Sequence, residues 1–256
     1  EEMIMEHQIV KRGYVSTDAK DFHAKSIPTL KKAAEEVYWM LNRGYPIKSL
    51  STFIGNHYLL SERRRLALAR SVSSQTALLS RKKREIQGTL SGKTVFIDGF
   101  NQIITLEVAL SDGTLLHCMD GTIRDLAGLR GTYRLIDKTT QAIKMIGAQL
   151  QQLQISQAVF YLDSPVSNSG RLKQEILTIL QHYPFTTQVH LTDNADVVLE
   201  TLPNVITSDA IILDHCQSWV NLNYPLIQQQ LPSVTCLQIT PDIGIFSFDS
   251  AHTDEK

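Results

Sequence analysis

The chain has 256 residues, of which 43% are hydrophobic, and a formal net charge of −1 at pH 7; this length and composition predict an ordinary globular protein with an ample core. Cys118, Cys216 and Cys236 form no CxxC pair and would leave one cysteine unpaired, which argues against a disulfide scaffold and a structural zinc site. The first residues contain no apolar stretch of signal-peptide length, and nowhere do about 18 apolar residues run together. We therefore expect a cytoplasmic protein with no membrane partner.

The charge is distributed unevenly along the chain. Residues 1–93 carry 17 Lys and Arg against 9 Asp and Glu, whereas residues 94–256 carry 8 against 17. A basic part joined to an acidic part suggests that the first attracts a polyanion and that the second holds cations.

Apolar residues recur with a helical period in the first third of the chain. The first predicted helix begins behind Ser26 and Pro28, and a short helix covers Ile47 to Ile54. A long helix is predicted to begin at Ser61, a good N-cap, and to run on to Ile86. Residues 1–92 are therefore predicted to form an all-helical domain that ends in the linker LSGKT.

Short β-branched runs alternate with helical stretches in residues 93–256, and this alternation predicts a three-layer α/β domain with a mostly parallel central sheet. The predicted strands are Val95–Ile97, Ala158–Leu162, Gln188–Leu191, Asn204–Thr207 and Val234–Ile239. The predicted helices are Thr122–Leu129, Lys138–Leu153, Arg171–His182, Asp193–Thr201, Ala210–Leu213 and Pro225–Leu231. In addition, Asp112-Gly113 between two apolar runs predicts a hairpin over residues 103–119.

Acidic residues follow four of the predicted strands. These are Asp98, Asp163, Asp193 with Asp196 one turn further on, and Asp209. Because the carboxyl ends of parallel strands lie on one edge of a sheet, we expect these side chains to converge. Converging carboxylates repel one another unless a cation neutralises them, and an all-oxygen cluster suits Mg²⁺ or Mn²⁺. Two such ions about 4 Å apart could activate a water for displacement at phosphorus, which is nuclease chemistry.

Each of these acids also has a purely structural interpretation as a helix cap or turn residue, most strongly Asp193, which with Asp196 resembles a capping box. Asp125 lies in the first turn of the helix predicted near Thr122, where it could point back to the sheet edge. Asp120 could replace or supplement it.

The stretch MDGTIRD also raises the possibility of a phosphohydrolase of the haloacid dehalogenase superfamily, in which an Asp-x-Asp-Gly-Thr motif supplies an aspartate nucleophile. Cys118 stands at the nucleophile position here, and the motif follows a predicted hairpin instead of a first parallel strand. This alternative is therefore the less favoured one.

The motifs VFIDGFNQI, TIRDLAG, AVFYLDS, TDNADVVLE and VITSDAIIL follow one another in an order that resembles the PIN-like nucleases, especially the NYN branch with the bacterial ribonucleases of the YacP type. The resemblance covers residues 94–215 and implies a PIN-like fold. It implies that Asp98, Asp125, Asp163, Asp196 and Asp209 bind the metal, and that Asn101 and Ser208 orient ligands or the scissile phosphate. The predicted hairpin departs from the family pattern. The helical part resembles an uncharacterised prokaryotic domain that is paired with a PIN-like domain.

Two basic clusters lie on the long predicted helix: Arg63, Arg64, Arg65 and Arg70, and then Arg81, Lys82, Lys83 and Arg84. A phosphate backbone could bind such a surface, although a solvated helix face would look the same. Beside the acidic domain these clusters favour nucleic acid as the partner, and the family resemblance implies RNA.

The sequence therefore predicts an Mg²⁺- or Mn²⁺-dependent endoribonuclease that hydrolyses RNA through a metal-activated water. The alternative is a PIN-like module that binds RNA or a protein without cutting, and a phosphohydrolase is the third choice.

Overall fold

Five α-helices form the N-terminal region in the computed structural model, which describes residues 10–128 and 131–241: α1 (Asp18–Asp21), α2 (Ile27–Leu41), α3 (Ile47–His57), α4 (Glu62–Ser71) and α5 (Gln75–Arg84). The expected absence of a signal peptide concerns residues 1–14, of which residues 1–9 lie outside these ranges, as does Leu129 at the end of one predicted helix. No helix in the described ranges is long and apolar enough to cross a bilayer.

The helix that was predicted to run from Ser61 to Ile86 is two helices. The Ser61 hydroxyl caps α4 as predicted, accepting from the Arg64 amide at 3.3 Å. The backbone turns extended at Val72, and Ser74 caps α5 in the same way through the amide of Ala77. β-Branched and serine residues favour extended and capping conformations over a helix interior, which explains the break in the stretch SVSS.

The remaining elements alternate between strands and helices. They are β1 (Thr94–Asp98), α6 (Gly99–Leu110), β2 (Leu115–His117), β3 (Ile123–Asp125), α7 (Thr139–Gln152), β4 (Gln157–Asp163), α8 (Ser169–Leu180), β5 (Thr186–Thr192), α9 (Ala195–Leu199), β6 (Val205–Ile206), α10 (Ala210–His215), β7 (Trp219–Val220), α11 (Asn223–Gln230) and β8 (Cys236–Leu237).

The main sheet has the strand order β5-β4-β1-β6-β7, and all of its neighbouring strands are parallel. Strand side chains alternate between two cores: Val95 and Ile97 join a core formed with α6, α7, α8 and α11, whereas Phe96 packs with residues of α9 and α10 on the other face. The chain therefore has an α/β region with a parallel five-stranded sheet between two helical layers. Strand β7 was not predicted.

The hairpin predicted over residues 103–119 is wrong in its first half, because Gly99–Leu110 is the helix α6. This helix is buried on almost every side, so its sequence has no polar face, and a continuous apolar run does not distinguish a helix from a buried strand. The Asp-Gly pair marks the end of the helix: Asp112 adopts a left-handed φ of 53°, and the Gly113 amide donates to the Val108 carbonyl.

The helix predicted to begin at Thr122 is instead strand β3. It pairs antiparallel with β2, and β8 adds to the other edge of β2, so these strands form a second small sheet with the order β3-β2-β8. The last predicted strand therefore exists, but it belongs to this sheet. Leu116, Cys118 and Ile239 extend the hydrophobic core of the N-terminal helices, which joins the two regions of the chain.

Candidate functional site

An open pocket of about 440 Å³ lies at the carboxyl edge of the main sheet. Acidic residues from four separate stretches line it, and so does the end of α4 from the N-terminal region. The polar and charged lining residues are Arg70, Asp98, Asn101, Arg124, Asp125, Asp196, Ser208 and Asp209. The pocket is thus built by both regions of the chain.

Asp98 is a buried acid of this pocket, with 8% of its surface exposed, the same fraction as Asp125. It ends β1 and begins α6, where its Oδ1 accepts from the Asn101 amide at 3.4 Å. Its Oδ2 accepts from the Thr207 hydroxyl at 2.8 Å. Burial raises the pKa of Asp98 to about 8; the Thr207 hydrogen bond opposes this shift, and the carboxylates of Asp209 and Asp196 add to it.

Asp196 and Asp209 are half-buried and come from the two helices on the same side of the sheet. Asp196 lies in the first turn of α9, and burial, followed by the charges of Asp209 and Asp163, raises its pKa to about 6. Asp209 is the N-cap of α10, and its Oδ1 accepts from the amides of Ile211 and Ile212 at 2.8 and 3.2 Å. The charge of Asp209 therefore disfavours the charged forms of both Asp98 and Asp196, as expected where carboxylates converge.

Asp125 enters the pocket from the end of β3 and not from a helix. Its Oδ2 accepts from the Thr105 hydroxyl, and its Oδ1 accepts from the Ala127 amide, both at 2.8 Å. A guanidinium nitrogen of Arg70 lies 3.6 Å from Oδ1 and also donates to the backbone carbonyl of Asp125. Asp125 thus lies at the sheet edge, where the sequence predicted it, but on a strand instead of the predicted helix.

Asp163 and Asp193 do not line the pocket. Asp163 Oδ1 accepts from the Ala195 amide at 2.8 Å and so fixes the start of α9. Asp193 is exposed, and its Oδ1 accepts from the Ser164 hydroxyl at 3.1 Å. The structure therefore brings together four of the six acids that the sequence assigned to a metal. Asp163 lies outside the pocket and holds the start of the helix that carries Asp196.

Asn101 and Ser208, predicted to orient the substrate, are bonded to each other at the pocket wall. Asn101 Oδ1 accepts from the Ser208 amide at 2.9 Å and from its hydroxyl at 3.0 Å. This pair ties the first turn of α6 to the loop after β6, so it fixes the spacing between the segments that carry Asp98 and Asp209.

Asp120 is not a free acid, because it is buried between Arg81 and Arg124. Burial alone would raise its pKa, but the charges of Arg124 and Arg81 hold it below the ordinary value. Arg124 also donates to the carbonyl of Ser208 at 2.6 Å. Of the two candidates for completing the acidic site, Asp125 therefore faces the pocket and Asp120 belongs to an internal ion network. We did not predict the role of Arg124; a buried arginine between two strand residues is the signal that could have indicated it.

Cys118, which stands where the phosphohydrolase motif has its nucleophile, is buried with 4% of its surface exposed. Burial raises the pKa of its thiol to about 11. A protonated, enclosed thiol does not supply the nucleophile that this motif requires.

Most arginines of the two basic clusters bind other parts of the chain. Arg63 donates to Asp18, Arg64 to Ser26, Arg65 to Asn56, and Arg81 to Asp214 and Asp120. Arg84 donates to the carbonyls of Cys216 and Asp214, and Lys82 pairs with Glu85, whereas Lys83 is exposed. Contacts within the chain therefore explain most residues of the two clusters without a bound nucleic acid. Nucleic-acid binding by these residues stays a prediction.

Within residues 10–128 and 131–241, no three His, Cys, Asp or Glu side chains are grouped at metal-ligand distances. The acids of the pocket face the same space, but they are not already assembled around one point.

The protein is of the α/β class, with a parallel sheet that has an acidic pocket at its carboxyl edge. The N-terminal helical region completes this pocket. The chain belongs to the family described as a domain of unknown function (DUF5616), whose model matches residues 87–225. Residues 29–84 match a second family, described as a protein of unknown function (DUF434). An uncharacterized protein of Methanocaldococcus jannaschii, MJ0935, is 32% identical over 186 residues, which cover 72% of this chain and 89% of that protein. No solved structure matched the chain.

Proposed function

We propose that this protein is a metal-dependent endoribonuclease with a PIN-like α/β domain. The observation that carries the proposal is the meeting of Asp98, Asp196 and Asp209 in one pocket at the carboxyl edge of a parallel sheet. In sheets of this kind that edge is where ligands bind. Asp125 adds a fourth carboxylate to the same pocket.

A divalent cation suits this pocket because its carboxylates are unfavourable without one. The raised pKa values of Asp98 and Asp196 express that cost, and oxygen ligands of this type prefer Mg²⁺ or Mn²⁺. Asp98, Asp125, Asp196 and Asp209 would hold the cation, which would neutralise them and lower the pKa of a water for attack at phosphorus.

The residues around the acids would position the substrate. Asn101 Oδ1 is engaged by Ser208, whereas its Nδ2 makes no hydrogen bond with the residues that the structure describes. An amide nitrogen at a pocket wall can donate to a phosphate oxygen. Ser208 would act through Asn101 by fixing the orientation of its side chain.

RNA is proposed as the substrate because the order of the motifs resembles that of the NYN-type ribonucleases. We place the activity in the cytoplasm, since the three cysteines are free thiols, as is usual in a reducing compartment.

A PIN-like module that binds RNA or a protein without cutting is the second candidate. It is favoured by the lack of a preassembled ligand group among the described residues and by the contact of Asp125 with Arg70. Such a module would not require a cation in the pocket.

The first test is incubation of labelled RNAs and DNAs with the purified protein and Mn²⁺, with EDTA as the control. We expect internal cleavage of RNA that EDTA abolishes and that Asp196→Asn or Asp209→Asn lowers at least about 100-fold, since either change removes a charge at the reacting centre. Asp112→Asn is the matched control, because it removes an acid from a turn outside the pocket. Cleavage that persists in both pocket variants would refute the assignment.

Calorimetry with Mn²⁺ separates the two candidates. The nuclease should bind Mn²⁺ in a way that Asp209→Asn weakens, whereas the non-cutting module should bind RNA without binding Mn²⁺.

A further inference from the structure

Arg70 differs from the other arginines of the two basic clusters in how its guanidinium is used. Arg63, Arg65, Arg81 and Arg84 each donate from all three guanidinium nitrogens to described residues. For Arg64 the donors are Nε and Nη2 alone. Arg70 donates only from Nη1, to the carbonyl of Asp125, so within residues 10–128 and 131–241 its Nε and Nη2 have no protein acceptor.

The location of Arg70 is equally distinct. It lies at the end of α4 in the N-terminal region, yet it lines the acidic pocket of the α/β region together with Asp98, Asp196 and Asp209. Its side chain keeps 32% of its surface exposed, whereas that of Arg81 keeps 4%. Arg70 is therefore an accessible cation beside four carboxylates, whereas Arg124, the other arginine of the lining, keeps only 8% of its side-chain surface exposed.

The backbone of Arg70 is held in register with the rest of the pocket. Arg124 donates from Nη1 to the Arg70 carbonyl and from Nε to the Ser208 carbonyl, so one buried side chain links the end of α4 to the loop that carries Asp209. Buried, fully bonded side chains of this kind fix relative positions with little freedom. The distance between the Arg70 backbone and the acids is thus set by the fold.

We infer that Arg70 binds the non-bridging oxygens of the RNA phosphodiester in this pocket. The inference rests on the proposed function and adds the group that recognises the phosphate. Carboxylates repel a phosphodiester, and a cation between them neutralises their charge, but apart from the uncharged amide of Asn101 the phosphate oxygens still need a hydrogen-bond donor. A guanidinium supplies two parallel N–H donors that match a phosphate, and Arg70 has such donors available.

It follows that the helical region is part of the substrate site. Arg70 lies in the stretch that matches one family and would contact the phosphate, whereas the acids lie in the stretch that matches the other family and would hold the cation beside it. The helical region would then be needed for binding at the pocket itself and not only for holding distant parts of a strand.

The test is equilibrium binding of a fluorescent RNA oligonucleotide in the presence of Mn²⁺, measured by anisotropy on the full chain carrying Asp209→Asn, so that the RNA stays intact. Adding Arg70→Ala should weaken binding by about 10- to 100-fold, the loss expected for a hydrogen-bonded charge pair. Arg70→Lys should stay at least about threefold weaker than the parent, because an ammonium lacks the planar fork. The matched control is Lys32→Ala, which removes an exposed positive charge from the same region and should change binding by less than about twofold.

The inference is overturned if Arg70→Ala binds RNA as the parent does, or if Lys32→Ala weakens binding equally, which would indicate only general attraction. Urea unfolding checks that each variant is folded, and if Arg70→Ala is not folded, the Arg70→Lys result decides in its place. Cleavage by the unsubstituted chain is measured separately: if cleavage is absent while Arg70→Ala still loses binding, the nuclease proposal fails and the phosphate contact stands. If cleavage occurs and neither Arg70 variant loses binding, the phosphate contact fails and the nuclease proposal stands.

Discussion

The Thr207 hydroxyl donates a 2.8 Å hydrogen bond to Oδ2 of Asp98, and this bond joins the ends of two neighbouring parallel strands. The contact supports the charged form of a carboxyl that burial and two nearby acids otherwise hold neutral. Asp98 is therefore constrained in position while its charged form is disfavoured, so the folded chain can carry this charge only at a cost in stability.

The first prediction concerns the stability of the metal-free protein at different pH values. Asp98 has a pKa of about 8 in the folded chain and near 3.8 when unfolded, so between these values the folded state keeps a proton that the unfolded state has lost. Folding stability should therefore fall as the pH rises from about 4 to about 8. Asp98→Asn, which mimics the protonated form, should be more stable than the unsubstituted protein at pH 8 by on the order of 3 kcal/mol and nearly equal to it at pH 4.

Urea unfolding in EDTA at pH 4, 6 and 8 measures this difference. Asp112→Asn serves as the control, since it removes an acid from a turn. An Asp98→Asn advantage that does not grow with pH would show that Asp98 is ionised throughout.

The second prediction concerns the internal ion network. Asp120→Asn leaves Arg81 and Arg124 buried without their shared carboxylate, and breaking a buried pair in this way costs about 3–5 kcal/mol. Asp214→Asn removes a partner of Arg81 whose side chain is 39% exposed, so it should cost about 1 kcal/mol or less. Denaturant unfolding at pH 7 compares the two variants, and equal losses would contradict the importance that we give to Asp120.

The third prediction separates the structural from the electrostatic role of Asp163. Its Oδ1 accepts from the Ala195 amide, so Asp163→Ala should lower the free energy of unfolding by about 1 kcal/mol, as the loss of a helix cap does. Asp163→Asn keeps an acceptor oxygen and should lose less. Hydrogen exchange at the Ala195 amide reports the same contact locally. If the asparagine variant were as unstable as the alanine variant, the charge of Asp163 would matter more than its hydrogen bond.

Local signals predicted much of the α/β region. The β-branched runs at Val95 and Val205 and the capping serine at Ser61 specify their elements through short-range preferences, and the structure has the predicted elements there. The helix α6 was missed because nearly all of its side chains are buried, so no alternation of polar and apolar residues reveals its period. Its true signal was length, since 12 apolar-rich residues exceed a usual buried strand.

The candidate site likewise has a part that the sequence could predict and a part that it could not. Acids at the ends of strands could be predicted, because parallel pairing brings those ends to one edge, and Asp98, Asp196 and Asp209 do line one pocket. The contacts of Arg70 and Arg124 could not be predicted, since they join residues more than 50 positions apart and depend on how the helical region packs on the second sheet.

The position of β8 has a practical consequence for anyone who trims the chain. The family match ends at residue 225, but Cys236–Leu237 pairs with β2, and Ile239 fills the core beneath the N-terminal helices. An expression fragment that ends where the match ends would leave β2 without this neighbouring strand and would leave a cavity in the apolar core. An unpaired strand edge promotes aggregation. Recombinant versions of this protein should therefore keep the segment through residue 241.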